Sequence, residues 1–359
     1  MRILIDATSV LLRSAGIKTY TYYWVQHLWQ QAGNEQIHTF PRLGRMSPLD
    51  HERSILSPFE TYRRLGLLYM INTGAGAPVM RWMTRKADVF HVSNQIRKPP
   101  KKVKLTATIH DMTSLLMPEL HTQGNVRADA SFTENVLKRA DRLIAVSENT
   151  RADAARHAGL DPDRIDVIYS GVPEVYFGAQ PRPSSRPYIL YVGTIEPRKN
   201  IDTLLDAWQD LRLRDDFDLL IAGATGWSSE KTMARLLSRP PSVRYLGYVP
   251  EDELPGLTAG ATAFVYPSLY EGFGFPVAQA MAAGVPVITS NTSCLPEIAG
   301  DAALLVDPRS SDEIKSAIQK LLTSPALQQQ LRTAALARAE HYRWETCARK
   351  SLEFFRRVR

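Results

Sequence analysis

Residues 266–297 read YPSLYEGFGFPVAQAMAAGVPVITSNTSCLPE and combine the end of a strand, a loop, a helix and a second strand. The apolar residues 263–266 end at a proline, which is typical of a strand covered on both faces of a parallel sheet. Pro276 suits the first turn of a helix, and Gly284 suits the position just beyond its end. The segment therefore predicts a strand, a loop and a helix over roughly Pro276–Ala283.

The loop of this segment contains the groups that a ligand site requires. Glu271 follows the strand, and ligands of open α/β sheets bind outside the carboxyl ends of the strands. Phe273 lies between Gly272 and Gly274, and glycines allow a loop backbone to approach a ligand closely. The free N–H groups of the following helix face the same place, and Gln279 lies near that helix start. We therefore expect a binding site at the end of this strand.

Length and composition indicate a soluble α/β protein with two domains. A chain of 359 residues exceeds the size at which one core usually stops growing, and its 44% hydrophobic and 23% charged residues are ordinary. Cys294 and Cys347 have no metal-ligand spacing and suit a reducing cytosol. The N-terminus, MRILIDATSV, has the pattern of a first strand and not of a signal peptide, and no apolar run is long enough to span a bilayer. We expect a cytoplasmic protein.

Positive charge is concentrated between residues 42 and 104, where thirteen Lys and Arg face four Asp and Glu. Within this segment, YRRLGLLYM at Tyr62–Met70 places Leu65, Leu68 and Tyr69 on one face of a helix beside two arginines. Basic residues beside an apolar face are typical of a helix on an anionic membrane, but most such helices pack onto their own domain. Two interpretations stay open. One is contact with the inner face of the membrane through 42–104, and the other is a solvated face over an ordinary core helix.

The N-terminal half alternates strands with helices, as a parallel sheet requires. His110 follows the predicted strand Lys104–Ile109 at its carboxyl end, where catalytic groups lie, although a lone histidine is more often structural. Gly16 follows the first predicted strand, Arg2–Asp6, and is either a turn glycine or a residue that approaches a ligand.

Proline and serine density marks residues 178–187, GAQPRPSSRP, as a linker. The second half opens with the predicted strand Tyr188–Val192 and Gly193, followed by Arg198 and Lys199 before an amphipathic helix. A strand, a glycine turn, two cations and a helix N-terminus form a competent diphosphate site, although charged pairs in loops are usually only solvated. The GxxxxGK[ST] pattern of a P-loop does not occur.

The segments EPRKN, EGFGFPV, AMAAGVPV and GDAALLVDP, which begin at residues 196, 271, 280 and 300, resemble retaining glycosyltransferases of the GT-B fold, in particular family 4. The signature of that family is a Glu, seven residues and a second Glu. Glu271 stands at the first position and Gln279 at the second. In the family the second Glu accepts hydrogen bonds from the nucleotide ribose, for which Gln279 offers one uncharged acceptor.

The resemblance implies an α/β fold of the GT-B type, with two Rossmann-like parallel-sheet domains facing across a cleft. Residues 1–177 would form the acceptor domain and 188–340 the nucleotide-sugar donor domain. The C-terminal helix, 341–359, would pack back on the first domain.

The resemblance also assigns roles to individual residues. Glu271 would hold sugar hydroxyls, His110 would touch the sugar, and the cations would stabilise the leaving diphosphate. The implied catalytic residues are Glu271, Lys199, Arg198 and His110, and the implied donor-binding residues are Gly16, Gly193, Tyr248, Val249, Phe273, Gly274, Phe275 and Gln279.

The implied reaction moves a hexose, with retention, from a donor of the GDP-mannose or UDP-glucose type to a glycan or lipid-linked acceptor. It requires neither a metal nor another cofactor, and we expect no nucleic-acid partner. The motifs look like those of bacterial surface-polysaccharide mannosyltransferases. Ala15 and Gln279 stand where the family usually has Gly and Glu, so a non-catalytic nucleotide-sugar-binding partner is one alternative. A phosphorylase or sugar-nucleotide epimerase on the same fold is another.

Overall fold

The computed structural model describes residues 1–43, 46–238 and 240–358. Three residues of predicted segments lie outside the described residues, namely Gly44 and Arg45 of the basic segment and Arg359 of the C-terminal helix.

The chain divides into two compact units. Unit 1 comprises Met1–Gly171 with Trp344–Arg359, and unit 2 comprises Val172–Arg343. Residues 178–187, the predicted linker, belong to unit 2, where the Arg182 N–H group donates a hydrogen bond to the Gly256 carbonyl at 2.9 Å.

Unit 1 contains a parallel six-stranded sheet among its described residues, in the order β2-β1-β3-β4-β5-β6. Its strands are β1 (Arg2–Asp6), β2 (Gln36–Phe40), β3 (Val89–Val92), β4 (Lys104–Ile109), β5 (Arg142–Ala145) and β6 (Ile165–Val167). The helices from the first half of the chain are α1 (Gly16–Gln31), α2 (Pro58–Thr73), α3 (Ala77–Thr84), α4 (Thr113–Leu116), α5 (Gln123–Asn135) and α6 (Glu148–Ala158).

Unit 2 contains a second parallel six-stranded sheet, also counted over described residues, in the order β12-β11-β10-β7-β8-β9. Its strands are β7 (Tyr188–Val192), β8 (Asp218–Ala222), β9 (Val243–Gly247), β10 (Ala263–Tyr266), β11 (Val287–Ser290) and β12 (Ala303–Val306). Its helices are α7 (Ile201–Gln209), α8 (Glu230–Leu237), α9 (Leu254–Ala259), α10 (Phe275–Ala282), α11 (Leu295–Ala299), α12 (Ser311–Leu322) and α13 (Pro325–Ala339).

The last helix, α14 (Trp344–Val358), returns to unit 1 and packs against α1. The indole N–H of Trp24 on α1 donates a hydrogen bond to the Ser351 hydroxyl at 2.9 Å, and both side chains are buried. This contact satisfies a polar group that burial would otherwise leave unpaired. None of the described helices of either unit is long and apolar enough to cross a membrane.

Local sequence signals explain where several elements begin and end. The Ser147 hydroxyl accepts a hydrogen bond from the Thr150 N–H group and caps α6. Gly284 follows α10 with a φ of 69°, a conformation that glycine adopts without strain. The predicted α/β fold with two Rossmann-like parallel sheets is confirmed.

The position of the site in unit 2 follows from its strand order. β10 pairs with β7, and from these two central strands the chain continues outward in opposite directions along the sheet. The carboxyl ends of such strands form a crevice at the point where the strand order reverses. The loops after β7 and β10 therefore meet at this edge.

The predicted orientation of α2 was wrong for Tyr69. Leu68 is buried and Leu65 packs against the core, but Tyr69 is 71% exposed. Successive helical residues are separated by about 100°, so Tyr69 is turned away from the buried Leu68 and lies beside the exposed Tyr62, two turns earlier on the helix.

Candidate active site

A buried carboxylate lies at the carboxyl end of β10. The Glu271 Oε1 atom accepts hydrogen bonds from the Lys199 ammonium at 2.6 Å, the Tyr266 hydroxyl at 2.9 Å and the Ser268 hydroxyl at 2.7 Å. The Oε2 atom forms an ion pair with the Arg198 guanidinium at 3.0 Å. Two predicted features, the loop carboxylate and the Arg-Lys pair, thus form one cluster. We refer to these five residues as the Glu271 cluster.

The cations of the cluster are held by the loop that follows β7. Residues Pro197–Lys199 form a single 3-10 turn, which ends at Asn200 in the left-handed conformation with a φ of 58°. The Asn200 amide donates a hydrogen bond to the Pro267 carbonyl at 3.0 Å, and the Leu269 N–H group donates one to the Arg198 carbonyl at 2.9 Å. These bonds join the loops after β7 and β10, so both cations have defined positions.

A second carboxylate next to the Glu271 cluster balances its charge. Arg198 also donates a hydrogen bond to the buried Glu196 carboxylate at 2.7 Å, so two cations face two carboxylates. Burial alone would raise the pKa of Glu271, but the neighbouring Arg198 and Lys199 charges hold that pKa at about 2. Burial raises the pKa of the Tyr266 hydroxyl well above its ordinary value. Glu271 is therefore an anion, and Tyr266 a neutral donor.

The start of α10 lies next to this carboxylate in the chain. Gly274 precedes the helix with a φ of 83°, and a Cβ atom there would lie 2.8 Å from the Leu295 side chain. The Phe273 ring packs edge-on against Phe275, with ring centroids 5.2 Å apart. Gln279 lies in the second turn of the helix and is half-buried. Glycine is therefore required at position 274 for both conformation and space.

The other predicted donor residues of unit 2 follow neighbouring strands. Gly193 follows β7, and its N–H group donates a hydrogen bond to the Ala222 carbonyl at 2.9 Å. A Cβ atom at this position would approach the Tyr191 hydroxyl to 2.9 Å. Tyr248 and Val249 follow β9, and Val249 is buried whereas Tyr248 is half-buried. Gly193 begins the same loop that holds the cations of the Glu271 cluster, whereas Tyr248 and Val249 follow a strand two positions farther along the same edge of the sheet.

His110 and Gly16 belong to unit 1. His110 follows β4, its Nε2 atom lies 3.2 Å from the Ser93 hydroxyl, and the Tyr20 ring packs edge-on against it at 4.9 Å. Burial lowers the pKa of His110 to about 4, so the imidazole is neutral at physiological pH. Gly16 is the exposed first residue of α1, one helical turn before Tyr20. Tyr20 thus contacts His110 and lies on the same helix as Gly16.

A second histidine of unit 1 is more deeply buried. His91 lies on β3, and its two ring nitrogens lie 3.0 Å from the Thr106 hydroxyl and 2.9 Å from the Thr108 hydroxyl. Burial and the neighbouring His110 lower the pKa of His91 to about 3. This side of the unit 1 sheet therefore contains two neutral imidazoles.

The sequence interpretation missed Glu196, Tyr266, Ser268 and Ser93. Tyr266 and Ser268 lie within the first segment quoted above, immediately before the predicted loop carboxylate, and Glu196 lies two positions before Arg198. Glu196, Tyr266 and Ser268 each contact Arg198 or Glu271 within five residues of their own positions, so adjacency in the sequence was a usable signal for them. Ser93 contacts His110 from the loop after a neighbouring strand, which adjacency could not reveal.

Two family profiles together match most of the chain. The family described as glycosyl transferases group 1 matches residues 174–338, and glycosyltransferase family 4 matches residues 14–175. The O-antigen chain mannosyltransferase B of Escherichia coli is 34% identical over 77% of this chain and 76% of that protein. The serotype-specific mannosyltransferase WbdA of Escherichia coli is 28% identical over 78% of this chain, which corresponds to only 36% of WbdA.

Solved structures share the fold over nearly the whole chain. Sucrose-phosphate synthase from Thermosynechococcus elongatus superimposes with a TM-score of 0.75 at 19% identity, covering 100% of this chain and 99% of that chain. WaaG, a glycosyltransferase involved in lipopolysaccharide biosynthesis, superimposes with a TM-score of 0.73 at 15% identity, covering 99% of each chain. At these identities the likeness shows the fold alone, and it confirms the predicted GT-B type.

Proposed function

This chain belongs to the group 1 and family 4 glycosyltransferases, and from that membership we propose that it transfers mannose from a nucleotide sugar to a glycan or lipid-linked acceptor. The observation that carries the proposal is the Glu271 cluster, a buried carboxylate with two cations at the carboxyl end of a parallel sheet. The preference for mannose rests on the names of the two Escherichia coli relatives, and a UDP-glucose type of donor is the other choice.

The donor diphosphate would bind at Arg198 and Lys199. In the structure both cations are paired with Glu271, so an incoming diphosphate competes with that carboxylate for them. Glu271 keeps the Tyr266 and Ser268 hydroxyls as partners, and its other lone pairs then accept hydrogen bonds from sugar hydroxyls. Arg198 and Lys199 would stabilise the negative charge that grows on the leaving diphosphate, which is the main task when the leaving group is already good.

The other site residues complete the proposed donor site. Gln279 would accept a hydrogen bond from the ribose, and the backbone near Tyr248 and Val249 would border the base. His110 would hydrogen-bond the sugar as a neutral imidazole, since its pKa is about 4.

Transfer with retention is proposed to follow a front-face path. The bond between the anomeric carbon and the phosphate oxygen breaks while the acceptor oxygen bonds to the same face of that carbon. The acceptor proton goes to a donor phosphate oxygen. Because the two cations carry the charge stabilisation, the proposed reaction needs no metal ion.

The direct test is turnover of a panel of GDP, UDP and ADP sugars by the purified protein, with and without a glycolipid acceptor extract. We expect one donor to be consumed only with acceptor, in EDTA as well as without it, and to yield a product that keeps the anomeric configuration. Consumption of no donor would contradict the proposal. Turnover that requires free phosphate would indicate a phosphorylase, and conversion of the donor without acceptor would indicate an epimerase.

A further inference from the structure

Three buried hydroxyl groups connect His110 to the start of α1. The Ser93 hydroxyl lies 3.2 Å from the His110 Nε2 atom and 3.3 Å from the Thr21 hydroxyl. The Ser9 hydroxyl lies 2.8 Å from the Thr21 hydroxyl. Each of the three hydroxyl-bearing residues is at most 2% exposed, whereas His110 is half-buried. We call Ser9, Thr21 and Ser93 the hydroxyl network.

The hydroxyl network follows the carboxyl edge of the unit 1 sheet. Ser9 follows β1, Ser93 follows β3 and His110 follows β4, and these three strands are consecutive in the sheet. Thr21 lies on α1, and its hydroxyl donates a hydrogen bond to the Ile17 carbonyl one helical turn earlier, at 2.9 Å. The network therefore joins His110 to two loops and to the first turns of α1.

The Ile17 carbonyl determines the direction of every hydrogen bond in the network. A carbonyl can only accept, so the single hydrogen of the Thr21 hydroxyl is used at Ile17. The two lone pairs of that hydroxyl then accept from Ser9 and from Ser93. Ser93 must therefore donate to Thr21, and the Thr21 hydroxyl is fully satisfied.

The hydrogen of the Ser93 hydroxyl is consequently not available to His110. The contact between this hydroxyl and the Nε2 atom needs a hydrogen, and the imidazole has to supply it. The Ser93 carbonyl also hydrogen-bonds the imidazole, and it too can only accept. Because burial lowers the pKa of His110 to about 4, the neutral ring carries a single N–H group. Donor counting therefore assigns the hydrogen to Nε2 and the lone pair to Nδ1.

We propose that Thr21 and Ser93 are positioning residues that fix His110 as the Nε2–H tautomer, so that Nδ1 accepts a hydrogen bond from a hydroxyl of the transferred sugar. This inference rests on the proposed function, because the sugar contact belongs to it. It adds a requirement, namely that the sugar presents a hydroxyl hydrogen at this contact. A fluorine atom in place of that hydroxyl has no hydrogen to donate and leaves Nδ1 unpaired.

The tautomer can be measured without any donor. The experiment is long-range proton–nitrogen correlation NMR of the full chain with isotope-labelled histidine at neutral pH. Protonated and unprotonated ring nitrogens differ widely in chemical shift, so the spectrum shows which nitrogen of a ring carries the hydrogen. His110→Gln identifies the His110 signals among those of the eight histidines. We expect the Nε2–H tautomer in the unchanged chain.

Two substitutions of Thr21 separate its hydroxyl from its shape. Thr21→Val removes the hydroxyl, which leaves the Ser93 hydrogen free to turn toward Nε2. The ratio of the two tautomers should then shift by at least about fivefold toward Nδ1–H, the effect of one hydrogen bond. Thr21→Ser keeps a hydroxyl and should keep the Nε2–H tautomer.

Thr84→Val on α3 is the matched control. Thr84 is buried in unit 1, and its hydroxyl likewise donates to a carbonyl one turn earlier, that of Met80, at 2.8 Å. Its substitution should leave the His110 tautomer unchanged. Thermal unfolding checks that each variant is folded, and Thr21→Ala replaces Thr21→Val if the valine variant does not fold.

A kinetic comparison tests the contact with the sugar. The accepted nucleotide sugar is compared with analogues in which fluorine replaces one sugar hydroxyl at a time. The unchanged chain should discriminate by kcat/KM against one analogue, and Thr21→Val should narrow that discrimination by about fivefold while Thr21→Ser preserves it. The electronic effect of fluorine on bond breaking is common to all variants and cancels in this comparison.

Three results would overturn the proposal. The unchanged chain could contain the Nδ1–H tautomer or a protonated ring, or a folded Thr21→Val variant could keep the Nε2–H tautomer. Thr21→Val could also switch the tautomer and leave every fluorine effect unchanged, which would contradict the contact between Nδ1 and the sugar. The expected tautomers in a chain that consumes no donor would support the hydroxyl network and contradict the proposed transfer instead.

Discussion

The buried ionisable groups at the carboxyl ends of the two sheets differ in charge, because Glu271 in unit 2 is ionised and the histidines in unit 1 are neutral. In unit 2, Glu271 stays ionised because Arg198 and Lys199 hold its pKa at about 2 against the effect of burial. In unit 1, burial lowers the pKa of His91 to about 3, and it lowers that of His110 to about 4 because it outweighs the opposing effect of the Asp111 carboxylate. A buried group keeps its charge only beside a counter-charge. The cations of unit 2 are therefore suited to bind an anionic ligand in place of Glu271, and the histidines of unit 1 are suited to contact uncharged hydroxyls.

The largest expected effect on turnover comes from the loss of one cation in unit 2. Lys199→Ala should lower turnover by about two orders of magnitude or more, because the leaving diphosphate loses a preorganised donor and the buried Glu271 loses a partner. Steady-state kinetics with the accepted donor measure the effect. Lys320→Ala, an exposed position on α12, is the matched control and should leave turnover unchanged. Near-normal turnover of Lys199→Ala would remove this lysine from the site.

Acid should weaken unit 1 before it weakens the Glu271 cluster. Unfolding releases His91 and His110 to their ordinary pKa of about 6.5, so the unfolded state binds more protons below that pH. The stability that these histidines contribute is complete above about pH 6.5. It is lost as pH falls, by about 1.4 kcal/mol for each histidine one unit lower. The contribution of Glu271 persists down to its ordinary value of about 4.5 and is lost only between there and about 2.

Urea unfolding at about pH 7.5 and about pH 5.5 measures this difference. His91→Asn should flatten the pH dependence of the unfolding free energy, since it removes one of the two low-pKa groups. His341→Asn, at an exposed position, should preserve that dependence. An unchanged pH dependence in His91→Asn would show that burial of this imidazole does not set the acid sensitivity.

The smallest expected effect concerns the half-buried Gln279. Gln279→Glu replaces an uncharged acceptor with a carboxylate, and a charged hydrogen bond to the ribose should tighten nucleotide binding by about tenfold. Calorimetric titration of the nucleoside diphosphate measures the change. Gln319→Glu on α12 makes the same substitution at an exposed position and should not alter affinity. Equal affinities for Gln279→Glu and the unchanged chain would argue against a ribose at this position.

Individual strands of both sheets could be predicted from the sequence, because buried strands are apolar runs bounded by glycine and proline. The predicted strands Arg2–Asp6, Lys104–Ile109 and Tyr188–Val192 coincide with strands of the structure. Local patterns of this kind need no knowledge of tertiary contacts.

The contacts between the site residues could not be predicted in the same way. The Arg-Lys pair and Glu271 were expected to bind different parts of the donor, but in the structure they bind each other. That contact joins loops from two strands that are adjacent in the sheet and distant in the chain. Tyr69 was misplaced because the face of an amphipathic helix is ambiguous when both of its stripes are apolar.

Competition between Glu271 and the donor diphosphate for Arg198 and Lys199 can be measured by calorimetric titration of UDP, GDP and ADP, with their sugars, into the unchanged chain and Glu271→Gln. The substitution removes the carboxylate that holds both cations, so one nucleoside diphosphate should bind at least about tenfold more tightly. The matching nucleotide sugar should gain less, because the hydrogen bonds from Glu271 to its hydroxyls are weakened. Unchanged or weaker binding of every nucleoside diphosphate to Glu271→Gln would contradict a donor site at the Glu271 cluster.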